Sequence, residues 1–122
     1  MNKKIGSIKK EVLNLFQIKI NHDIPVFIGD ANINHIKTKH PKDYQKYGDK
    51  IKEIIIDPTY VAKHPKKESI EFIKEYKETE DYLLVAVKIT IHQVAFIKTM
   101  FVMSETKKEK YLKSGFLRKI LK

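Results

Sequence analysis

The spacing of hydrophobic positions changes several times along the chain, and each change predicts a different element. Ile8, Val12, Leu15 and Phe16 fall at intervals of four, three and one, with Ser7 placed to cap them, so a helix is expected near the N-terminus. After Phe16 the period shortens. Ile18 and Ile20 alternate with polar residues, Asn21-His22-Asp23 reads as a turn, and Ile24, Val26 and Ile28 alternate again as far as Gly29-Asp30. That pattern predicts a short strand pair or an extended arm. Asn32 then stands as an N-cap, with Ile33 and Ile36 three apart behind it. The helix must weaken at His40, because a residue before proline avoids the α region, while Pro41 suits the first turn of a new helix. Tyr44, Tyr47, Ile51, Ile54 and Ile55 share one broad face, with Gly48 able to divide that run into two shorter helices before Asp57-Pro58 ends it.

The second half is richer in strands. Residues 59–68 read as loop, with His64-Pro65 inside them. Ser69 to Tyr76 fits a strand or one helical turn. Leu83 to Thr90 and Val94 to Met103 are strands rich in β-branched residues, joined through Ile91-His92-Gln93 as a hairpin. Both are apolar on both faces, so the sheet should be covered on both sides. Ser104 caps a last helix, Glu105 to Lys113, with Gly115 as its C′ residue, and Phe116 to Lys122 forms a short basic, apolar tail. The order of helix, strand region, helices and β-meander is that of an α+β protein.

Composition narrows the class. A chain of 122 residues without a linker or repeat predicts one domain over 1–122. There is no cysteine, which excludes disulfides, thiolate metal sites and cysteine nucleophiles and fits a reducing compartment. No apolar run approaches the ~20 residues of a membrane span. The basic start, Met1-Asn2-Lys3-Lys4, is followed by no apolar core and cleavage site, so no signal peptide is expected. Lys and Arg number 25 against 15 Asp and Glu, a net charge of +10, which favours polyanions and above all nucleic acid. Arg118 is the one arginine. Lysine meets phosphate as a flexible point charge, so backbone binding is expected ahead of base readout; a lysine-rich proteome is the plain alternative.

The stretch Asn32 to Pro41 concentrates candidate chemistry: His35 and His40, with Lys37 and Lys39 between them. Zinc is disfavoured, because two helical ligands need i,i+4 spacing, whereas a five-residue step turns the rings about 140° apart at ~100° per residue. No metal and no cofactor are therefore expected. The sequence has no G-x-S-x-G elbow and no phosphate-cradling glycine loop. RNA cleavage by the ribose 2′-OH needs only one group to take a proton, one to give it, and cations for the phosphoryl charge. Histidine suits the proton work and lysine the charge work. A histidine on a lysine-rich helix is otherwise a solvated surface residue. Ile33, Ile36 and His40 follow one track, so His40 should face the sheet and His35 should lie at the edge of that face. Either could be the acid or the base.

The series V-F-I-G-D-A-N-I-N-H-I-K-T-K-H-P-K-D-Y, then I-I-I-D-P-T-Y-V, L-L-V-A-V-K-I and F-I-K-T-M-F-V-M with a later K-Y-L resembles a phage-associated nuclease family. It is one of the barnase–EndoU–colicin–RelE grouping of ribonuclease folds. The resemblance spans roughly residues 20 to 117, and H-I-x-x-K-H-P and K-T-M-F are its most specific parts. It implies N-terminal helices packed on an antiparallel sheet of about four strands, with a C-terminal helix. It implies a metal-independent endoribonuclease, toxin- or phage-effector-like, giving a 2′,3′-cyclic phosphate and a 5′-hydroxyl, with transfer RNA a common target across the grouping. Carried over by position, His35 and His40 match the histidine motif, Lys88 and Thr99 the polar positions of the strands, and Tyr111 the aromatic of the closing helix.

The residues themselves leave each of these roles open. Lys88, on a face with Leu84, Ala86 and Thr90, is either a phosphate ligand or a side chain snorkelling past an edge. Thr99, on a face with Ile97 and Phe101, binds a phosphate oxygen or a backbone carbonyl. Lys98 should point to the opposite face, so only one of the pair can join a given cleft. Tyr111 is more often a helix anchor than a reactive phenol. The expectation is thus catalysis by His35, His40, Lys88 and Thr99, with Lys37, Lys39, Lys98 and Tyr111 binding RNA. The compartment expected is the cytoplasm, or that of a target cell after delivery by phage or secretion machinery. A non-catalytic nucleic-acid-binding module on the same scaffold is the alternative, and an acidic antitoxin or immunity protein is a further expected partner.

Overall fold

The two strands most legible in the sequence lie in the middle of the sheet. The structure is a computed structural model that describes residues 2–63 and 69–119. The chain runs β1 (Lys3–Ile8), α1 (Lys10–Leu15), β2 (Ile24–Ile28), α2 (Asp30–Lys39), α3 (Pro41–Tyr47), a 3-10 turn (Gly48–Lys50) and α4 (Ile51–Ile56). It continues through β3 (Tyr60–Lys63), β4 (Ser69–Tyr76), β5 (Asp81–Ile89), β6 (Ala95–Val102), α5 (Glu105–Ser114) and β7 (Arg118–Lys119). The strands form one sheet in the order β1-β2-β6-β5-β4-β3-β7. All pairings are antiparallel except β2 with β6, a parallel seam of two residue pairs, Val26–Ala95 and Phe27–Phe96.

The class is α+β, as expected, but the sheet has seven strands and is mixed rather than four-stranded and antiparallel. The difference lies at the edges. The chain starts with a strand, not a helix: Ser7 sits in β1 opposite Pro25, because Ile8 is needed in the core of the sheet. The first helix begins later, at Lys10, and its leading N–H donates to the Asp23 carboxylate at 2.9 Å. β1 crosses tightly over α4 at Gly6, where a Cβ would come within 3.0 Å of an Ile55 methyl. Ile18 and Ile20 are not a strand; they pack from a loop against the core. Tyr60–Lys63, expected as loop, is β3, and part of the expected tail is β7, paired to it. His64-Pro65 lies outside the described residues.

Punctuation residues act where expected. The backbone breaks at His40 (φ −136°, ψ 59°), Pro41 opens α3, and Gly48 divides the next run. Asn32 is not the N-cap of α2 but its third residue; it accepts the Gly29 N–H at 2.7 Å from inside the first turn. Ser104 Oγ accepts the Lys107 N–H at 3.1 Å, and Gly115 ends α5 at φ 74°.

β5 is buried on both sides. Leu83, Val85 and Val87 join Phe72, Ile97 and Met100 in the main core, closed by Val12, Leu13, Ile36, Tyr47, Ile54 and Ile55 from the four leading helices. Leu84 and Ala86 face the other way, into a smaller core with Ile73, Ala62 and Met103 beneath Tyr111 of α5. The short α5 covers only part of this second face. Among the described residues, no helix is long and apolar enough to cross a membrane.

Candidate active site

The uncovered part of the second face is a hollow of about 160 Å³. Glu71 on β4, Ala86 on β5 and Thr99 on β6 are consecutive partners across the sheet. With strands ~4.8 Å apart, Glu71 and Thr99 stand about 10 Å from each other across a floor made by the small Ala86. Ser69 and Leu84 extend the floor, Phe101 closes one end, and Lys98 and Lys107 complete the wall.

A β-bulge shapes this wall. Ala86 pairs with Thr99 and Val87 with Ile97, so Lys98 is an extra residue with no partner. The extra residue breaks the alternation. Ile97 and Met100 both enter the main core, while Lys98 and Thr99 both line the hollow. The sequence-based placement is corrected here in two respects: Lys98 does not face away from Thr99, and Thr99 does not share a face with Ile97. Thr99 Oγ1 is buried and has no hydrogen-bond partner among the described residues. An unsatisfied buried hydroxyl costs about 1–3 kcal/mol, which the fold tolerates at this point.

The histidine motif is divided. His40 is half-buried at the junction of α2 and α3, and its ring centroid is 5.3 Å from that of Phe101. The junction is held by the Asp43 carboxylate, which accepts the Val102 N–H of β6 at 3.0 Å. His40 therefore touches Phe101, a wall residue of the hollow, without lining the hollow itself. His35 is exposed on α2, with no hydrogen bond or ring contact among the described residues to bring it there. Lys37 lies over the Tyr44 ring at 5.4 Å, and Lys39 is exposed. Lys88 pairs in register with Ser69, two residues beyond the Glu71–Ala86 pair, and is exposed without lining the hollow.

Tyr111 is buried, and its hydroxyl donates to Glu71 Oε1 at 2.7 Å. Burial, then the hydrogen bond to Glu71, pushes the phenol well above its usual range. The contact fastens α5 to β4, so the phenol faces the carboxylate and not an incoming ligand. Two groups escaped the sequence reading. Glu71, 5% exposed, is the buried acid of β4, set between Ile70 and Phe72, and only the register across Ala86 reveals it. Lys107 is one lysine among many; what distinguishes it is its seat, 4.7 Å from the Phe101 ring centroid and 5.7 Å from that of Tyr111.

A larger hollow of about 330 Å³ lies between β1, α1 and α4, lined by Val12, Ile55, Ile56, Pro58 and Phe72. It offers mostly hydrocarbon, so the smaller hollow is the better candidate for chemistry. Among the described residues, no three His, Asp or Glu side chains cluster as a metal site.

Residues 3–110 match the family described as phage-Barnase-EndoU-ColicinE5/D-RelE like nuclease3. The chain belongs to this nuclease family. The match takes in β1 through most of α5 and therefore every residue that lines the hollow. No curated protein and no solved structure matches the chain.

Proposed function

We propose that this family member is a metal-independent endoribonuclease, with the hollow over Ala86 as its active site. The observation that supports this most is the union of a partnerless Thr99 hydroxyl and the bulge-directed Lys98 with His40 against the Phe101 wall. The ribose 2′-OH loses its proton to Glu71 as O2′ attacks the adjacent phosphorus. The P–O5′ bond breaks, and the departing O5′ takes a proton from His40. The products are a 2′,3′-cyclic phosphate and a 5′-hydroxyl. Thr99 and Lys98 stabilise the developing phosphoryl charge. Lys88, on β5, and His35, Lys37 and Lys39, along α2, guide the RNA backbone, with transfer RNA as the expected target and an acidic antitoxin as the expected inhibitor.

The test is incubation with total transfer RNA in EDTA, with end-group analysis for cyclic phosphate. His40→Ala should slow cleavage by ~10²-fold or more, the usual scale of general acid–base catalysis, while His35→Ala acts mainly on KM. Absence of cleavage, or equal cleavage by His40→Ala, would reject the proposal. His40 touches Phe101 without lining the hollow, and this favours a second reading: a module that binds RNA without cutting it. Salt-sensitive binding without turnover would select that reading.

A further inference from the structure

We infer that Lys107, held on the rings of Phe101 and Tyr111, is a second cation that binds the phosphoryl group in the hollow, beside Lys98. The inference rests on the ribonuclease reading for the source of that phosphoryl group, the RNA backbone; the anion site itself stands on geometry.

Lysines that lose water in a fold ordinarily gain a carboxylate. Lys74 and Lys108 are half-buried like Lys107. Lys74 pairs with Asp57 at 3.1 Å and Lys108 with Glu105 at 2.9 Å. Lys107 has no ion pair among the described residues; what it has is two aromatic faces. A ring attracts an ammonium through its quadrupole but does not neutralise it, so the charge remains available to a ligand.

The same wall holds the buried Thr99 hydroxyl without a partner and the Lys98 ammonium re-aimed by the bulge. Two cations and a hydroxyl donor thus face one small space. The acceptor there, Glu71, already has an oxygen engaged by Tyr111. This is an excess of donors over acceptors, the pattern that suits an oxyanion. The rings also fix the ammonium in place. Phe101, which seats Lys107, is the ring that touches His40, so the anion site and the imidazole share a wall.

The experiment is titration of the folded protein with inorganic phosphate, followed through backbone amide shifts in two-dimensional NMR. Saturable shifts are expected at residues 98–101 and 105–108. Lys107→Met should weaken binding at least tenfold, Lys107→Arg should retain most of it because a guanidinium also seats on aromatic faces, and Lys108→Met should match wild type. Amide spectra and thermal melts of the variants separate lost binding from lost folding. Shifts scattered over the lysine surface, or equal binding in Lys107→Met, overturn the inference. Cleavage assays separate it from the ribonuclease reading. Lys107-dependent phosphate binding without turnover leaves the anion site standing and removes the enzyme. Turnover with an unchanged kcat/KM in Lys107→Met removes Lys107 alone.

Discussion

The two faces of the central sheet are made by the same strands, yet they are finished differently. On the helix-packed face, Ile97, Met100, Val85 and Phe72 are sealed beneath α1 to α4. Polar groups at the rim of that face are satisfied: the Tyr47 hydroxyl donates to Asp81 at 2.6 Å, and Tyr76 to Glu53 at 2.7 Å. On the opposite face α5 covers only part of the sheet, and the remainder holds a buried hydroxyl with no partner and a half-buried ammonium with no ion pair among the described residues. Stability is concentrated on the first face. The second carries the unsatisfied groups, and unsatisfied groups are what a ligand can complete.

The sharpest test uses two adjacent residues of β6, Ile97 and Lys98, that face opposite sides of the sheet. Ile97→Ala should lower unfolding free energy by about 2–5 kcal/mol, as expected for a fully buried aliphatic side chain. Lys98→Ala should change it by less than about 0.5 kcal/mol while weakening RNA binding. Urea denaturation and a binding isotherm measure both effects, and comparable losses of stability would contradict the two-face division. A smaller effect, of opposite sign, is expected at Thr99. Thr99→Val replaces an orphaned hydroxyl by a methyl group and should stabilise the fold by about 1 kcal/mol, while cleavage falls at least tenfold. If the variant melts lower instead, the hydroxyl has a partner after all.

The smallest effect should come from the satisfied rim of the first face. The Tyr47 hydroxyl, followed by the Lys46 ammonium, holds the Asp81 carboxyl below its usual range. A depressed carboxyl stabilises the fold above its unfolded pKa, and that contribution is lost as pH falls through the folded value. Wild type should therefore exceed Asp81→Asn in denaturation midpoint at pH 6, with the gap closing below about pH 4. A gap of equal size at both pH values would disconnect the network from folding.

Much of the architecture was readable because its signals are local. β-branched runs mark β5 and β6, Pro41 and Gly48 divide the helices, and Ser104 and Gly115 bound α5. The strands that escaped notice, β1, β3 and β7, are edge or short pieces whose identity depends on partners distant in sequence. Ser7 was misread because serine before an apolar run suits a cap and a strand alike. Thr99 in the hollow and His40 against its Phe101 wall were legible as candidates. The side chain facing of Lys98 was not, because alternation assumes an unbroken ladder. Glu71 and Lys107 were invisible for a similar reason: their significance arises from cross-strand register and from a ring supplied by another element.

The bulge at Lys98 has one further consequence. Without that residue, Ile97 would still pair with Val87 and Thr99 with Ala86, and every other partner in the hairpin would be unchanged. The cation is thus an addition to a complete ladder, not a replacement within it. In genetic terms, a single in-frame codon placed between those for isoleucine and threonine is enough to give an ordinary hairpin a second charged residue on its open face, and the hydrophobic core need not record the change.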